Sequence, residues 1–328
     1  MSPEKTLLQL LQSRSIVDCD TMDVEVPKAL GPFVDCTSNQ AIAYNELQKP
    51  SHKSRIENAI SMSKKLASEY PELSAAELAV EIVMVSLQLE ISHHVTGFVH
   101  VQTNPYYSYD TETTIKNARR IIELFRYLDS SFDNTRVCIK IPSTWEGLQA
   151  CRILEASKTT TLATTLFTIE QASLAGEVGC HYIAPYVNEL KVHFEAGFID
   201  HNKAQKLCVQ AQRLYEANGI KTQVLPASLT STSEIMQLAG VHHITIAPGL
   251  LQELSTMPAS SNTPVSLFNE SASTKEVPAF VRYADDQAKY RIAFTRCNGG
   301  DGEGERKLVQ AINIFCDMQD KLEEMMMN

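Results

Sequence analysis

The sequence predicts a single-domain α/β protein, a closed (β/α)8 barrel with extra N- and C-terminal helices, over residues 1–328. Three observations predict it. Short β-prone runs alternate with helical patterns along the chain, which implies a parallel sheet, and eight such units suit a barrel better than an open doubly wound sheet. An open nucleotide-binding sheet wants a glycine-rich turn after its first strand, and none is present. At 328 residues and 44% hydrophobic content the chain fits one large domain or two small ones, with material for a sizeable core.

The elements follow in order. Residues 4–14 read as a short helix, and Ile16-Val17-Asp18-Cys19-Asp20 as a strand ending on a carboxylate. Phe33-Val34-Asp35-Cys36 is the second strand and runs into Thr37-Ser38-Asn39. Helices are expected over 54–69 and 74–91, the latter opened by Ser74 with Glu77 three residues on, a capping-box spacing. Its Leu78, Ile82 and Val85 share one face. A strand at 98–102 then leads to a helix from about 110 with Ile115, Ala118, Ile122 and Phe125 on one side. The strand around Lys140 leads to a helix over 146–156, and the β-branched run 159–167 to one over 168–177. Strands at 182–187, 221–225 and 243–246 complete the eight, with a helix over 203–217 between the first two of these. The glycines of 299–304 fall in an acidic stretch with no preceding strand and read as a flexible loop. From about Arg306 the spacing of Leu308, Ile312, Phe315 and Leu322 marks a closing helix, expected to pack outside the barrel.

Charge and cysteine usage narrow the class. The 29 basic and 39 acidic residues give a net charge of -10, which disfavours nucleic acid and anionic membranes as partners. The short polar start and the lack of an apolar run long enough to cross a bilayer make the cytoplasm the default location. Eight scattered cysteines without CxxC pairs read as reduced, mostly buried thiols, not as a disulfide frame or zinc site.

Lys140 is the residue that most needs explaining. It sits in Val137-Cys138-Ile139-Lys140-Ile141-Pro142, a buried strand pattern. An ammonium is costly to bury unpaired, and the usual escape is a neutral amine, the form that attacks carbonyls to make a Schiff base. Taken alone, a lysine reaching water through its stem is the plainer explanation. Its surroundings favour chemistry: the predicted C-terminal strand ends, where such barrels gather their catalytic groups, hold Asp20, Asn39, Gln102, Lys140, Thr164, Tyr186 and Ser228.

Other candidates are weaker. His93, His94, His100, His242 and His243 invite a metal reading, but the adjacent pairs point apart and no carboxylate lies at a helpful spacing, so no metal is expected. Ser228 lies in Pro226-Ala227-Ser228-Leu229, without the Gly-x-Ser-x-Gly turn of a hydrolase. Tyr106, Tyr107 and Tyr109 either line a pocket or pack beside the rim.

The segments VCIKIPSTWEG at 137–147, IEQASLAGEVGCHYIAPYV at 169–187 and LAGVHHITIAPGLLQEL at 238–254 resemble the transaldolases, lysine-dependent (β/α)8 enzymes that move a three-carbon ketol unit between sugars. The resemblance runs over nearly the whole chain. It implies Lys140 as the Schiff-base lysine, Asp20 as the acid/base at the substrate hydroxyl, Thr164 as a holder of the catalytic water, and Asn39 and Ser228 as substrate contacts. It implies no cofactor. Family members pair through helices, which implies a homodimer, and only the Met-rich tail hints at such a surface here.

Departures from the transaldolase pattern sharpen the expectation. Gln102 stands for a catalytic Glu, Leu162 for an Asn, and Ala184 and Tyr186 for the Ser and Phe of a Ser-Pro-Phe segment; all four resemble the smaller fructose-6-phosphate aldolases. There a Tyr hydroxyl, with Gln and Thr, positions the water, and a Tyr can serve as general acid/base where a Glu does in the relatives. Two arginines that hold the sugar phosphate in transaldolases align with Glu189 and Thr230, removing the charge-assisted bonds a phosphate needs. Lys191 and Arg213 are the residues that would have to replace them. The expected function is therefore a class I, Schiff-base aldolase or transaldolase-type enzyme acting on an unphosphorylated carbonyl or sugar. Two alternatives stand beside it: transaldolase activity in the pentose phosphate pathway, and a non-catalytic metabolite-binding relative.

Overall fold

The computed structural model describes residues 5–269, 277–297 and 301–327. The strands are β1 (Ile16–Asp20), β2 (Cys36–Thr37), β3 (Val99–Gln102), β4 (Val137–Pro142), β5 (Thr160–Leu166), β6 (Tyr182–Pro185), β7 (Gln223–Val224) and β8 (His243–Ile246). All pair in parallel in the order β7-β6-β5-β4-β3-β2-β1-β8. The ring nearly closes between β7 and β8, where the Thr245 amide donates to the Pro226 carbonyl at 3.2 Å and the Val224 amide to His242 Nδ1 at 3.1 Å. The molecule is thus a (β/α)8 barrel.

Its helices are α1 (Leu7–Gln12), α2 (Glu25–Leu30), α3 (Gln40–Leu47), α4 (Lys53–Leu66), α5 (Ala75–Ser92), α6 (Thr111–Leu128), α7 (Trp145–Ala156), α8 (Ile169–Glu177), α9 (Gln205–Asn218), α10 (Thr232–Gln237), α11 (Pro248–Thr256), α12 (Gln287–Arg296) and α13 (Glu303–Met327). Among the described residues no helix is long and apolar enough to cross a membrane. All eight cysteines are free, seven of them buried. The helices α2, α3, α10, α11 and α12 escape the sequence reading because they are short or show little apolar periodicity. β2 lies later than expected, at Cys36–Thr37, and Phe33 makes only an isolated bridge to Val95. The capping box at Ser74 is half formed: Ser74 Oγ accepts from the Glu77 amide at 3.0 Å, while the Glu77 carboxylate turns to Asn104 and Tyr107.

The closing helix corrects an expectation. Instead of packing only outside the barrel, α13 packs on α3 and α5, on the turns that follow β3 and β6, and on β5, so it roofs part of the barrel's C-terminal mouth. Those turns carry its polar partners. Glu189 accepts from Arg306 at 2.7 Å, Asp200 from the buried Lys307 at 2.9 Å, and Tyr106 donates to Asp320 at 2.9 Å. The apolar stripe Leu308, Ile312, Phe315 and Leu322 is buried beneath. Residues 298–300 of the glycine-rich stretch lie outside the described residues, and Gly304 belongs to the first turn of α13, where a Cβ would meet Thr168 Cγ2 at 2.3 Å. The Met-rich tail is the last turn of the same helix, with Met326 buried inside this chain.

The barrel interior holds an unexpected polar layer. Asp18, Asp35, His100 and His243 are all 0–4% exposed, and each makes a hydrogen bond, with His100 Nδ1 left unpartnered among the described residues. His243 Nδ1 lies 2.8 Å from Asp18 Oδ2, His100 Nε2 lies 3.0 Å from Asp35 Oδ2, and Asp18 Oδ1 accepts from the Asp35 amide at 2.9 Å. No carboxylate lies at a helpful sequence spacing from these histidines, but the fold supplies them in space: Asp18, Asp35 and His243 bring ligand-type atoms within 4.8 Å of one another. Tertiary pairing of β1 with β8 does this, across more than two hundred residues of sequence. Burial pushes Asp18 up to about 6 against the opposing pull of His243. Burial also works to raise Asp35 and to lower His243, but hydrogen bonds and charge from His100 and from Asp18, respectively, outweigh it.

Candidate active site

The strand register fixes the site. All six residues of β4 are buried, and Lys140 lies opposite Gln102 on β3 and Leu162 on β5. The Lys140 side chain is 2% exposed, and Nζ crosses to β2's end to donate to the Ser38 carbonyl at 3.1 Å. That single bond to a neutral acceptor leaves the amine without an ion-pair partner among the described residues.

Next to it, β5 is distorted. Its register with β6 shifts between Ala163 and Leu166, and Thr165 takes a left-handed φ of 53°, which is strained for a β-branched residue. Ser143 holds the kink by donating its amide and hydroxyl to the Thr164 carbonyl at 2.8 and 2.7 Å. The result is a fully buried Thr164 hydroxyl with no partner. Gln102 donates Nε2 to Gln40 at 2.8 Å and likewise leaves Oε1 buried and unpaired. Two orphaned oxygens thus come from the two strands that flank Lys140, and buried polar atoms of this kind call for a ligand or an ordered water.

The other expected residues line a cavity of about 480 Å³ at the same mouth: Asp20, Asn39, Tyr186 and Ser228 are all on its wall. Lys140, Gln102 and Thr164 are not; all three are buried, and Lys140 is joined to the wall through Ser38 and the adjacent Asn39. Asp20 Oδ1 accepts from Thr37 Oγ1 at 2.6 Å, and that hydroxyl also lies 2.6 Å from Thr245 Oγ1. Asn39 caps α3, its Oδ1 accepting from the Ile42 amide at 3.0 Å. Tyr186 is held by its amide on the Leu166 carbonyl at 3.1 Å and packs edge-on to Phe167. Ser228 sits at a left-handed φ of 58°, pinned through its carbonyl by Asn188, and its hydroxyl meets His193 Nε2 at 2.9 Å.

Charge on the wall is mostly negative. Asp20, Asp23 and Glu46 line the cavity, and Lys49, which also does, is engaged by Asp23 at 2.7 Å and Glu46 at 2.8 Å. Among the described residues no arginine lines it. Glu189 is buried and tied to Arg306 and Gln310, while Thr230 is bound to Glu234. Lys191 pairs with Glu195 and lies over the Phe198 ring, and Arg213 belongs to α9, off the wall. Tyr109 lines a separate small cavity with Trp145 and Tyr290, whereas Tyr106 and Tyr107 bond to Asp320 and Glu77.

Two features escaped the sequence reading. His193 lies in a 3-10 turn after β6, where no periodicity singles it out. The polar layer did carry a signal: Asp18 with Asp20, His100 with Gln102, and His243 with Thr245 are two apart on strands and so share the inward face.

A parallel barrel with a buried lysine and acid, amide and hydroxyl groups at its mouth has the build of an aldolase-type enzyme. The chain belongs to the transaldolase/fructose-6-phosphate aldolase family, whose model matches residues 17–323. It is 29% identical over 325 residues to a transaldolase of Pseudoalteromonas atlantica, covering 97% of this chain and 98% of that one. It is 31% identical over 326 residues to a transaldolase of Shewanella piezotolerans, covering 98% and 97%. With a protein named transaldolase B from Pasteurella multocida it shares 30% over 328 residues, covering 98% and 99%. The protein is an enzyme of the aldolase/transaldolase type.

Proposed function

We propose that Lys140 forms a Schiff base with a small ketone donor, such as dihydroxyacetone, and that the carbonyl substrates are unphosphorylated. In the cleavage direction the amine adds to the ketose carbonyl, water leaves, and the iminium accepts the electron pair of the breaking C–C bond to leave the donor as an enamine. Asp20 takes the proton of the hydroxyl on the carbon that departs as an aldehyde. In the forward aldol direction the dihydroxyacetone iminium loses its α-proton to a base, the enamine carbon attacks an aldehyde, and Asp20 gives a proton to the aldehyde oxygen. Hydrolysis then needs a water beside the iminium. Gln102 Oε1 and Thr164 Oγ1 hold it, Tyr186 moves its proton, and Asn39 and Ser228 bind substrate hydroxyls.

One observation carries this reading: the Lys140 amine, 2% exposed and bonded only to the Ser38 carbonyl, lies between strands that present two buried, unpaired oxygens. The absence of arginine from the wall, and the capture of Glu189 by Arg306, support an unphosphorylated substrate. The relatives' name favours a second reading, transfer between sugar phosphates. Borohydride reduction of the protein with dihydroxyacetone, followed by peptide mass analysis, tests the first part. An adduct on Lys140 is expected, and none with any donor would favour a binding role instead. Turnover of fructose 6-phosphate with erythrose 4-phosphate is expected to be slight; brisk transfer would establish the second reading.

A further inference from the structure

Outside the reacting groups the cavity wall is mixed, and it carries an apolar patch. Val26 of α2 and Ile42 of α3 face it from one side, and Leu190, Phe194 and Leu229, from the turns after β6 and β7, from the other. Phe194 is 42% exposed at the mouth, so a bound molecule has a large ring still to cover. The charged groups on the wall disfavour an anion. Three carboxylates line the space, and its ammonium, Lys49, is already bonded to two of them. The polar group set among the apolar residues is His193, on the turn that also carries Leu190 and precedes Phe194. Its Nε2 is 2.9 Å from the hydroxyl of the strained Ser228. His193 and Ser228, paired with each other, thus occupy this side of the wall, which no arginine lines among the described residues.

We propose that the acceptor is an aldehyde with an uncharged, apolar substituent, which packs between Ile42 and Phe194, and that His193 is the specificity-determining residue that excludes anionic acceptors. The inference rests on the Schiff-base reading and deepens it. Joining dihydroxyacetone to an aldehyde forms one C–C bond, moves one proton to the aldehyde oxygen and releases no by-product, so no further reactant is needed.

The test uses the full-length protein with dihydroxyacetone as donor and propanal, hexanal, glyceraldehyde and glyceraldehyde 3-phosphate as acceptors. The kcat/KM is expected to rise from propanal to hexanal by roughly threefold for each added methylene in contact with the wall. Glyceraldehyde 3-phosphate is expected to be the poorest acceptor. Phe194→Ala and Ile42→Ala should each cut the hexanal-to-propanal ratio by about fivefold. His193→Arg should raise the ratio of glyceraldehyde 3-phosphate to glyceraldehyde by about tenfold. If hexanal is no better than propanal while borohydride still traps dihydroxyacetone on Lys140, this inference is wrong and the Schiff-base reading survives. If no adduct forms, both are wrong.

Discussion

Glu189 and Arg306 face each other at 2.7 Å, and this bond fastens the turn after β6 to the helix that roofs the barrel. The carboxylate is buried and also accepts from Gln310 at 2.9 Å, so Glu189 serves as an anchor for α13.

Replacing Glu189 by Arg therefore sets two guanidinium groups against each other instead of creating a phosphate site. A loss of about 2–4 kcal/mol is expected in urea unfolding, because a buried partner is removed while half-exposed Arg306 stays partly solvated. The double variant Glu189→Arg, Arg306→Glu should recover at least half. Strong phosphate-dependent stabilisation of the single variant would contradict this account.

Lys140→Met is the cleanest loss of function. The thioether fills a similar volume without a buried amine, so stability should stay within about 1 kcal/mol of the parent or rise. Turnover should fall by roughly a thousandfold or more, and borohydride should trap nothing at this position.

Thr164→Val separates stability from activity. It removes a buried hydroxyl that has no partner and keeps the shape, so unfolding should become harder by up to about 1 kcal/mol. Adduct formation should persist while hydrolysis slows by roughly tenfold to a hundredfold, giving a burst followed by a slow steady rate. A variant that turns over as fast as the parent would remove Thr164 from the water site.

The Asp18 and His243 pair sets a direction for pH dependence. Asp18 is raised to about 6, so its contribution to stability is full below its unfolded value and fades as pH rises through about 6. His243 is also raised, so its contribution is full below its ordinary 6.5 and fades as pH climbs above it. Asp35, held low, acts the other way and loses its contribution only in acid. Replacing His243 by Gln removes a contribution that is full below 6.5, so the loss of stability should be larger at pH 6 than at pH 8. Unfolding curves at the two pH values decide it, and an equal deficit at both would show that His243 does not gain a proton on folding.

Much of this was legible before any coordinates. β1 and β8 are bounded by the sequence pattern to the residue, because uninterrupted β-prone runs are marked at both ends. β2 and β7 are two residues each, too short for alternation to locate, and neighbouring strands decide where pairing begins. The seven mouth residues were named from the strand ends and the family pattern. Their division into a cavity wall and a buried group depends on how the turns after β1, β2, β6 and β7 fold, which no periodicity shows. An apolar stripe shows that a helix is covered but not by what, so the roof could not be read from Leu308, Ile312, Phe315 and Leu322 alone. His193 was missed for a related reason: an irregular turn has no period, and only the approach of Ser228 from β7's end gives it a partner.

The roof has a consequence for how the molecule is made. It consists of twenty-five helical residues, about 37 Å of chain, that leave the ribosome after the barrel. Glu189 and Asp200, on the connection after β6, are therefore synthesised before Arg306 and Lys307, and their carboxylates have to stay hydrated until those cations arrive. A stop before Glu303 would leave that connection without its charge partners, and early proteolysis between β6 and α9 would be its trace.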